Sequence, residues 1–182
     1  MNAAEHLERH LGPMDRGWSS SSLPGVQVCL FRDRPLAGVT TLATLGLSDT
    51  VLAMSEGRKV RQELLMAVRN DRAPEEFGKL LIHIAEGLQR SGQALVRGEV
   101  IPLGGRLAAD STAEALYASI PVVFPEGLAT LTDSSPPTVF VWLVPLLPRE
   151  AAYVGSSGWS ELEDRLEAAD PDLFDLRRGS VI

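Results

Sequence analysis

Two short runs carry the side chains best suited to chemistry. The first is Gly46-Leu47-Ser48-Asp49, inside the hydroxyl-rich stretch TTLATLGLSDTVL at residues 40–52. A serine beside an aspartate offers a nucleophilic hydroxyl and a carboxylate. The second is Asp175-Leu176-Arg177-Arg178, whose guanidinium pair suits a phosphate or a carboxylate. Taken together, Ser48, Asp49, Asp175, Arg177 and Arg178 form a candidate polar cluster. Ser48, Asp49, Arg177 and Arg178 are the basis for the alternative reading, an enzyme of unrecognised type. The run around Ser48 fails the nucleophile-elbow pattern, because Thr50 stands where G-x-S-x-G needs its second glycine. A turn or cap role for the Ser48 hydroxyl follows instead.

The remaining reactive groups are sparse. Gly78-Lys79 is followed by Leu80 rather than Ser or Thr, which rules out a P-loop there, and no G-x-G-x-x-G occurs. Histidine is the commonest general base, and there are three. His83 flanks the polar side of a helical pattern and is expected in solvent. His6 and His10 are spaced to meet on one helix face, the basis of a metal-binding reading. The zinc-protease pattern needs Glu directly after the first His, and Leu7 is there. Two exposed histidines near a terminus are therefore expected. Cys29 is the single cysteine, so no intrachain disulfide or thiolate zinc cluster can form. It falls mid-strand, as a small buried group. No catalytic residue, cofactor or metal ligand is assigned.

Charge says more about partners. Seventeen basic and 24 acidic residues give a net charge of −7. Non-specific nucleic-acid binding needs the opposite balance. The acids concentrate near the C-terminus, with Glu161, Glu163, Asp164, Glu167, Asp170, Asp172 and Asp175 set against Arg165. The Asp170–Asp175 run lacks the glycine and glutamate of a calcium loop. Glu161, Glu163, Asp164 and Glu167 are the candidate partner-binding residues, shown to water or to a basic protein. The N-terminal run MNAAEHLERHLGPMDRG has no apolar signal core, and no apolar run is long enough to span a membrane. Cytoplasm is the expected location.

The elements that must position these groups follow from periodicity. Asn2–Leu11 reads as a short helix stopped by Gly12-Pro13. Residues 26–31 (VQVCLF) and 39–47 (VTTLATLGL) read as strands, the second with threonine in both alternating sets. The opening threonines are thus expected to be strand residues. VRQELLMAV at 60–68, bounded by Gly57 and Asn70-Asp71, is also of strand length. Phe77, Leu80, Leu81, Ile84, Ala85 and Leu88 mark one face of a helix over 74–90. Residues 100–110 are turn-rich. Leu116–Phe124 reads as a strand edged by Pro121, and TVFVWLVPLL at 138–147 as a central strand. Pro148–Tyr153 reads as a helical turn, Trp159–Ala168 as a helix with Leu162 and Leu166 inward, and Leu173–Val181 as a closing strand. The sum is one α+β domain over residues 1–182, with five or six strands in a mostly antiparallel or mixed central sheet and flanking helices. Residues 1–25 form an N-terminal helix and loop extension. A chain of this length buries roughly 70% of its extended-chain surface.

LATLGLSDTVL, QELLMAV, FVWLVPLL and PDLFDLRRGSVI, in that order, resemble the Suppressor of fused domain family from about Val39 to the C-terminus. Gly46-Leu47-Ser48-Asp49 and Asp175-Leu176-Arg177-Arg178 are the most specific pieces. The resemblance implies a twisted central sheet with flanking helices and no known catalytic activity. Longer animal members carry a second domain and clamp a peptide strand of a transcription factor. This chain has room only for the first domain, so neither property is carried over. Short bacterial members include immunity proteins that neutralise toxins. The resemblance therefore implies a non-catalytic protein-binding module, with another protein, a basic toxin among the options, as partner.

Overall fold

A computed structural model describes residues 1–182. Its nine strands form a mixed sheet, and with four α-helices the chain is α+β. The chain resolves into two compact units, residues 1–95 with 120–142, and residues 96–119 with 143–182.

The first unit begins with helix α1 (Ala3–Leu11), capped by reciprocal bonds between Asn2 and Glu5. Strands β1 (Arg16–Ser19), β2 (Gln27–Arg32), β3 (Val39–Leu45) and β5 (Lys59–Arg69) lie side by side and antiparallel. Strand β9 (Thr138–Leu146) then pairs parallel to β5, Arg61 opposite Thr138 and Leu65 opposite Trp142. Two short strands, β4 (Leu52–Ala53) and β8 (Thr130–Leu131), pair with β5 and β9. Helix α2 (Pro74–Ser91) packs on β2, β3 and β5. It buries Phe77, Leu81, Ile84, Ala85 and Leu88 as the 3.6-residue period requires, and His83 faces solvent.

The second unit holds β6 (Val100–Pro102), β7 (Ala115–Ser119), the end of β9, and helices α3 (Pro148–Ser157) and α4 (Trp159–Ala169). β6 and β7 are antiparallel, and α3 packs on α4 and β7.

β3 and β5 are buried on both faces. Such strands read as apolar runs rather than alternating ones, and any polar group in them needs a partner. The threonines meet that demand. Thr40 Oγ1 donates to Asn70 Oδ1 at 2.7 Å, Thr41 Oγ1 to the Arg34 carbonyl at 2.6 Å, and Thr44 Oγ1 to Glu63 Oε2 at 2.6 Å. They are strand residues, as their alternation indicates.

Several expectations are corrected. The sheet has nine strands because four short ones, of two to four residues, join the longer set. Leu116–Phe124 leaves the sheet after Ser119, where Ile120-Pro121 begins a turn closed by the Phe124 N–H on the Pro121 carbonyl at 3.1 Å. Pro148–Tyr153 is the start of a ten-residue helix. Leu173–Val181 is not a strand. The Asp172 and Asp175 side chains accept from Phe174 N and Arg177 N, and their carbonyls from Asp175 N and Arg178 N. Two consecutive aspartate turns thus take the backbone groups a strand would have used. His6 is 2% exposed rather than solvated, because the apolar face of α1 that buries Leu7 and Leu11 carries it inward.

Candidate functional site

In the first unit, β3 ends at Leu45, and after Gly46 the chain turns through a short 3-10 segment, Leu47–Asp49. Gly46 is obligatory. Its φ is 103°, and a Cβ there would lie 2.1 Å from the Gly25 carbonyl oxygen. The turn closes over Glu63, which is wholly buried mid-strand in β5. Glu63 Oε1 accepts from Gly46 N–H at 2.9 Å, Ser48 N–H at 3.0 Å and the Ser48 hydroxyl at 2.7 Å, while Oε2 accepts from Thr44. Thr44 Oγ1 in turn accepts from Leu64 N–H at 2.8 Å. Above, Arg61 Nη1 donates to the carbonyls of Ser48 at 2.7 Å and Asp49 at 3.1 Å. One carboxylate and one guanidinium thereby satisfy both the donors and the acceptors of the turn.

Burial raises the Glu63 pKa, and the hydrogen bonds from Thr44, Ser48 and Gly46 oppose the rise. Burial, then Glu63, push the neighbouring Cys29 thiol up to about 11, so it stays protonated and a poor nucleophile. Beside the turn lies an open cleft of about 340 Å³ whose walls include Asn2, Gln27, Ser48 and Asp49. The Ser48 hydroxyl points away to Glu63, which leaves Asp49, exposed, as the charged group on the wall.

The second unit contains the other half of the predicted polar cluster. Arg178 and Glu150 form a two-pronged ion pair, Nη1 to Oε1 at 2.6 Å and Nη2 to Oε2 at 2.7 Å, with side chains 6% and 0% exposed. Arg178 also donates to the Pro145 and Gly179 carbonyls, and Glu150 accepts from Leu147 N and Val181 N. The pair therefore ties the final turns to α3 and to the end of β9. Arg177 is half exposed and pairs with Asp175 at 3.3 Å. Ser48 and Asp49 belong to the first unit and Asp175, Arg177 and Arg178 to the second, each set with its own partners.

On α4, Glu161, Asp164 and Glu167 face solvent. Glu163 differs from that expectation. It is half-buried, accepting from Tyr117 Oη at 2.7 Å and from Arg97 Nε at 3.1 Å, and Arg97 lies over the Trp159 ring at 4.7 Å. Burial, then the Glu163 bond, raise the Tyr117 pKa. Trp159 packs so closely on Gly98 that a Cβ there would lie 2.5 Å from the indole.

Glu63, Glu150, Gln62, Arg97 and Tyr117 are the residues missed by sequence reasoning. Gln62, 1% exposed, donates to the Leu95 carbonyl at 2.7 Å and accepts Leu95 N–H at 3.0 Å. The signal was the polar pair Gln62-Glu63 inside a strand otherwise fit for full burial.

The profile of the family described as Suppressor of fused protein (SUFU) matches residues 22–179, beginning earlier than the resemblance from Val39. The chain belongs to the Suppressor of fused family. A relative named immunity protein YqcF, from Bacillus subtilis (strain 168), is 23% identical over 167 residues, covering 91% of this chain and 86% of its own. A putative Suppressor of fused homologue from Neisseria gonorrhoeae FA 1090 superposes with a TM-score of 0.81 at 18% identity, over 99% of this chain and 94% of the other. A chain of the Sufu-Fu complex gives 0.76 at 15% identity, over 98% and 90%. Drosophila Suppressor of Fused gives 0.74 at 16% identity, and there the match covers 99% of this chain but 50% of that one. The Suppressor of fused signatures read from the sequence, Gly46–Asp49 and Asp175–Arg178, coincide with the Glu63-bound turn and the Glu150-bound terminus. No helix of the chain is long and apolar enough to cross a membrane.

Proposed function

We propose that this chain is a non-catalytic protein-binding module of the immunity type, acting in the cytoplasm as one domain over residues 1–182, with 1–25 as an extension. The observation that carries the reading is the commitment of its polar groups. Ser48 and Arg178, two of the four residues of the enzyme reading, are both spent on buried carboxylates, Glu63 and Glu150. What remains on the surface is charge rather than a reactive constellation. The name of the Bacillus subtilis relative, immunity protein, supports the same class of activity.

The partner is a protein with a basic contact surface. Glu161, Asp164 and Glu167 give α4 a local negative field in a chain of net charge −7. Such a field speeds encounter with a basic partner. Glu163 supports that surface by holding Arg97, which lies over the Trp159 ring.

The test is co-expression of the chain with a toxin encoded beside it. Relief of growth arrest, with recovery of a stoichiometric complex, is expected. Hydrolysis of an ester or phosphoester by the purified chain that disappears in Ser48→Ala would overturn the proposal.

A further inference from the structure

Helix α1 is fastened by a pair of histidines that the binding role leaves unused. His6 Nε2 lies 3.0 Å from the Leu128 carbonyl. A carbonyl only accepts, so Nε2 carries the proton and neutral His6 keeps a bare lone pair on Nδ1. That Nδ1 is buried with no hydrogen-bond partner. The ring stacks on Phe140 of β9 at 5.0 Å, and the His10 ring lies 4.6 Å away on its other neighbour contact, tilted by 59°. His10 also closes on Gly127, where a Cβ would lie 3.0 Å from its Cε1. Two imidazoles, a phenyl ring and a tight loop thus form the seat of α1.

This seat suits neutral rings only. A proton on His6 Nδ1 would meet no acceptor in an apolar surrounding, which is costly. A second proton on His10 would place like charges on adjacent rings. The surrounding charges do not offset this. On α1, Glu5 is bonded to Asn2 N and Glu8 to Met14 N, and Arg9 adds positive charge. From the segment after β8, Asp133 feels both Arg9 and His6 but is bonded to the Met1 amino group. β9 contributes Phe140, with no charge.

We propose that α1 is a proton-sensitive latch, docked while His6 and His10 are neutral and released as they are protonated. Its release would uncover Phe140 and the Leu128 loop. The sign is consistent with the shift at His10. Burial, then His6 and Arg9, hold His10 below its ordinary value of 6.5. The docked state therefore binds fewer protons than the released one just below that value, and docking weakens as pH falls.

Amide hydrogen exchange on the whole chain at about pH 7.5 and about pH 5.5, corrected for intrinsic rates, tests the latch. Protection of residues 3–11 is expected to fall by about tenfold or more at the lower pH, with α2 unchanged. The double variant His6→Gln, His10→Gln keeps an amide donor for the Leu128 carbonyl and cannot titrate in this range. It should hold α1 equally at both values. Equal protection of α1 in the wild type, or an undiminished pH effect in the double variant, would overturn the proposal. Should the variant not fold, side-chain NMR of the wild type decides. Both rings charged at pH 5.5 with α1 still protected would equally sink it.

Discussion

Glu63 illustrates how one buried side chain defines a whole turn. Four donors converge on it, so a substitution is felt at every one. Glu63→Gln presents an amide N–H₂ where one oxygen accepted, and leaves a hydroxyl or N–H without its acceptor. A loss of about 1–3 kcal/mol in urea denaturation is expected. Its pH dependence has a definite sign. The Glu63 pKa is raised by burial above its ordinary 4.5, so the folded state binds the proton more tightly than the unfolded chain. Its contribution to stability therefore grows as pH falls through the window just above 4.5 and diminishes as pH rises. The gap between wild type and Glu63→Gln, measured near pH 5 and near pH 7, should be larger at the lower value. The threonines separate in the same way. Thr44→Val strands both Glu63 Oε2 and Leu64 N–H and should cost about 2 kcal/mol or more. Thr40→Val releases only the exposed Asn70 and should cost less than about 1 kcal/mol. Equal thermal shifts for the two would contradict this account.

Helix α3 and the terminal turns are joined by Arg178 and Glu150, and the pair behaves as a unit. Arg178→Ala leaves the Glu150 carboxylate buried and unpaired and should cost about 3–5 kcal/mol. Arg178→Lys should rescue little, because an ammonium cannot make the two parallel bonds of the guanidinium fork. The double change Arg178→Met with Glu150→Gln should cost less than the sum of the single changes, since neither then strands a charge. Chemical denaturation of the wild type, Arg178→Met, Glu150→Gln and the double variant checks the coupling, and simple additivity would show that the pair is not coupled.

For the molecule as a binder, the decisive quantity is the association rate. Glu161, Asp164 and Glu167 are exposed, so their charges are screened and count little for folding. Their collective field persists over a Debye length of about 30 Å at 0.01 M salt and about 10 Å at 0.1 M. Association with a basic partner should slow as salt rises. Replacing these three by glutamine or asparagine should lower the on-rate more than it raises the off-rate, with the melting temperature nearly unchanged. Glu163 is kept out of that variant because it holds Arg97 and Tyr117. Stopped-flow binding at two salt concentrations is the measurement, and equal on-rates at low salt would move the binding face elsewhere.

Periodicity, apolar runs of strand length and flanking turn residues placed β2, β3, β5, β9, α2 and α4, because burial of one or both faces leaves a pattern that a linear reading can detect. The four runs LATLGLSDTVL, QELLMAV, FVWLVPLL and PDLFDLRRGSVI, in that order, carried the resemblance to the Suppressor of fused family, to which the match over residues 22–179 assigns the chain. The roles of the polar residues lay beyond that reading. Glu63 finds Thr44 and Ser48 from nineteen and fifteen residues away, and Glu150 finds Arg178 from twenty-eight. Nothing periodic marks such pairs, since each exists only where pairing of strands or folding back of the terminus has removed water and left a charge to be satisfied. The terminal LFDLRR run shows the same division. Its composition resembles a strand, yet two aspartate side chains claimed the backbone, and the arginine that turned inward did so to meet an acid on another element.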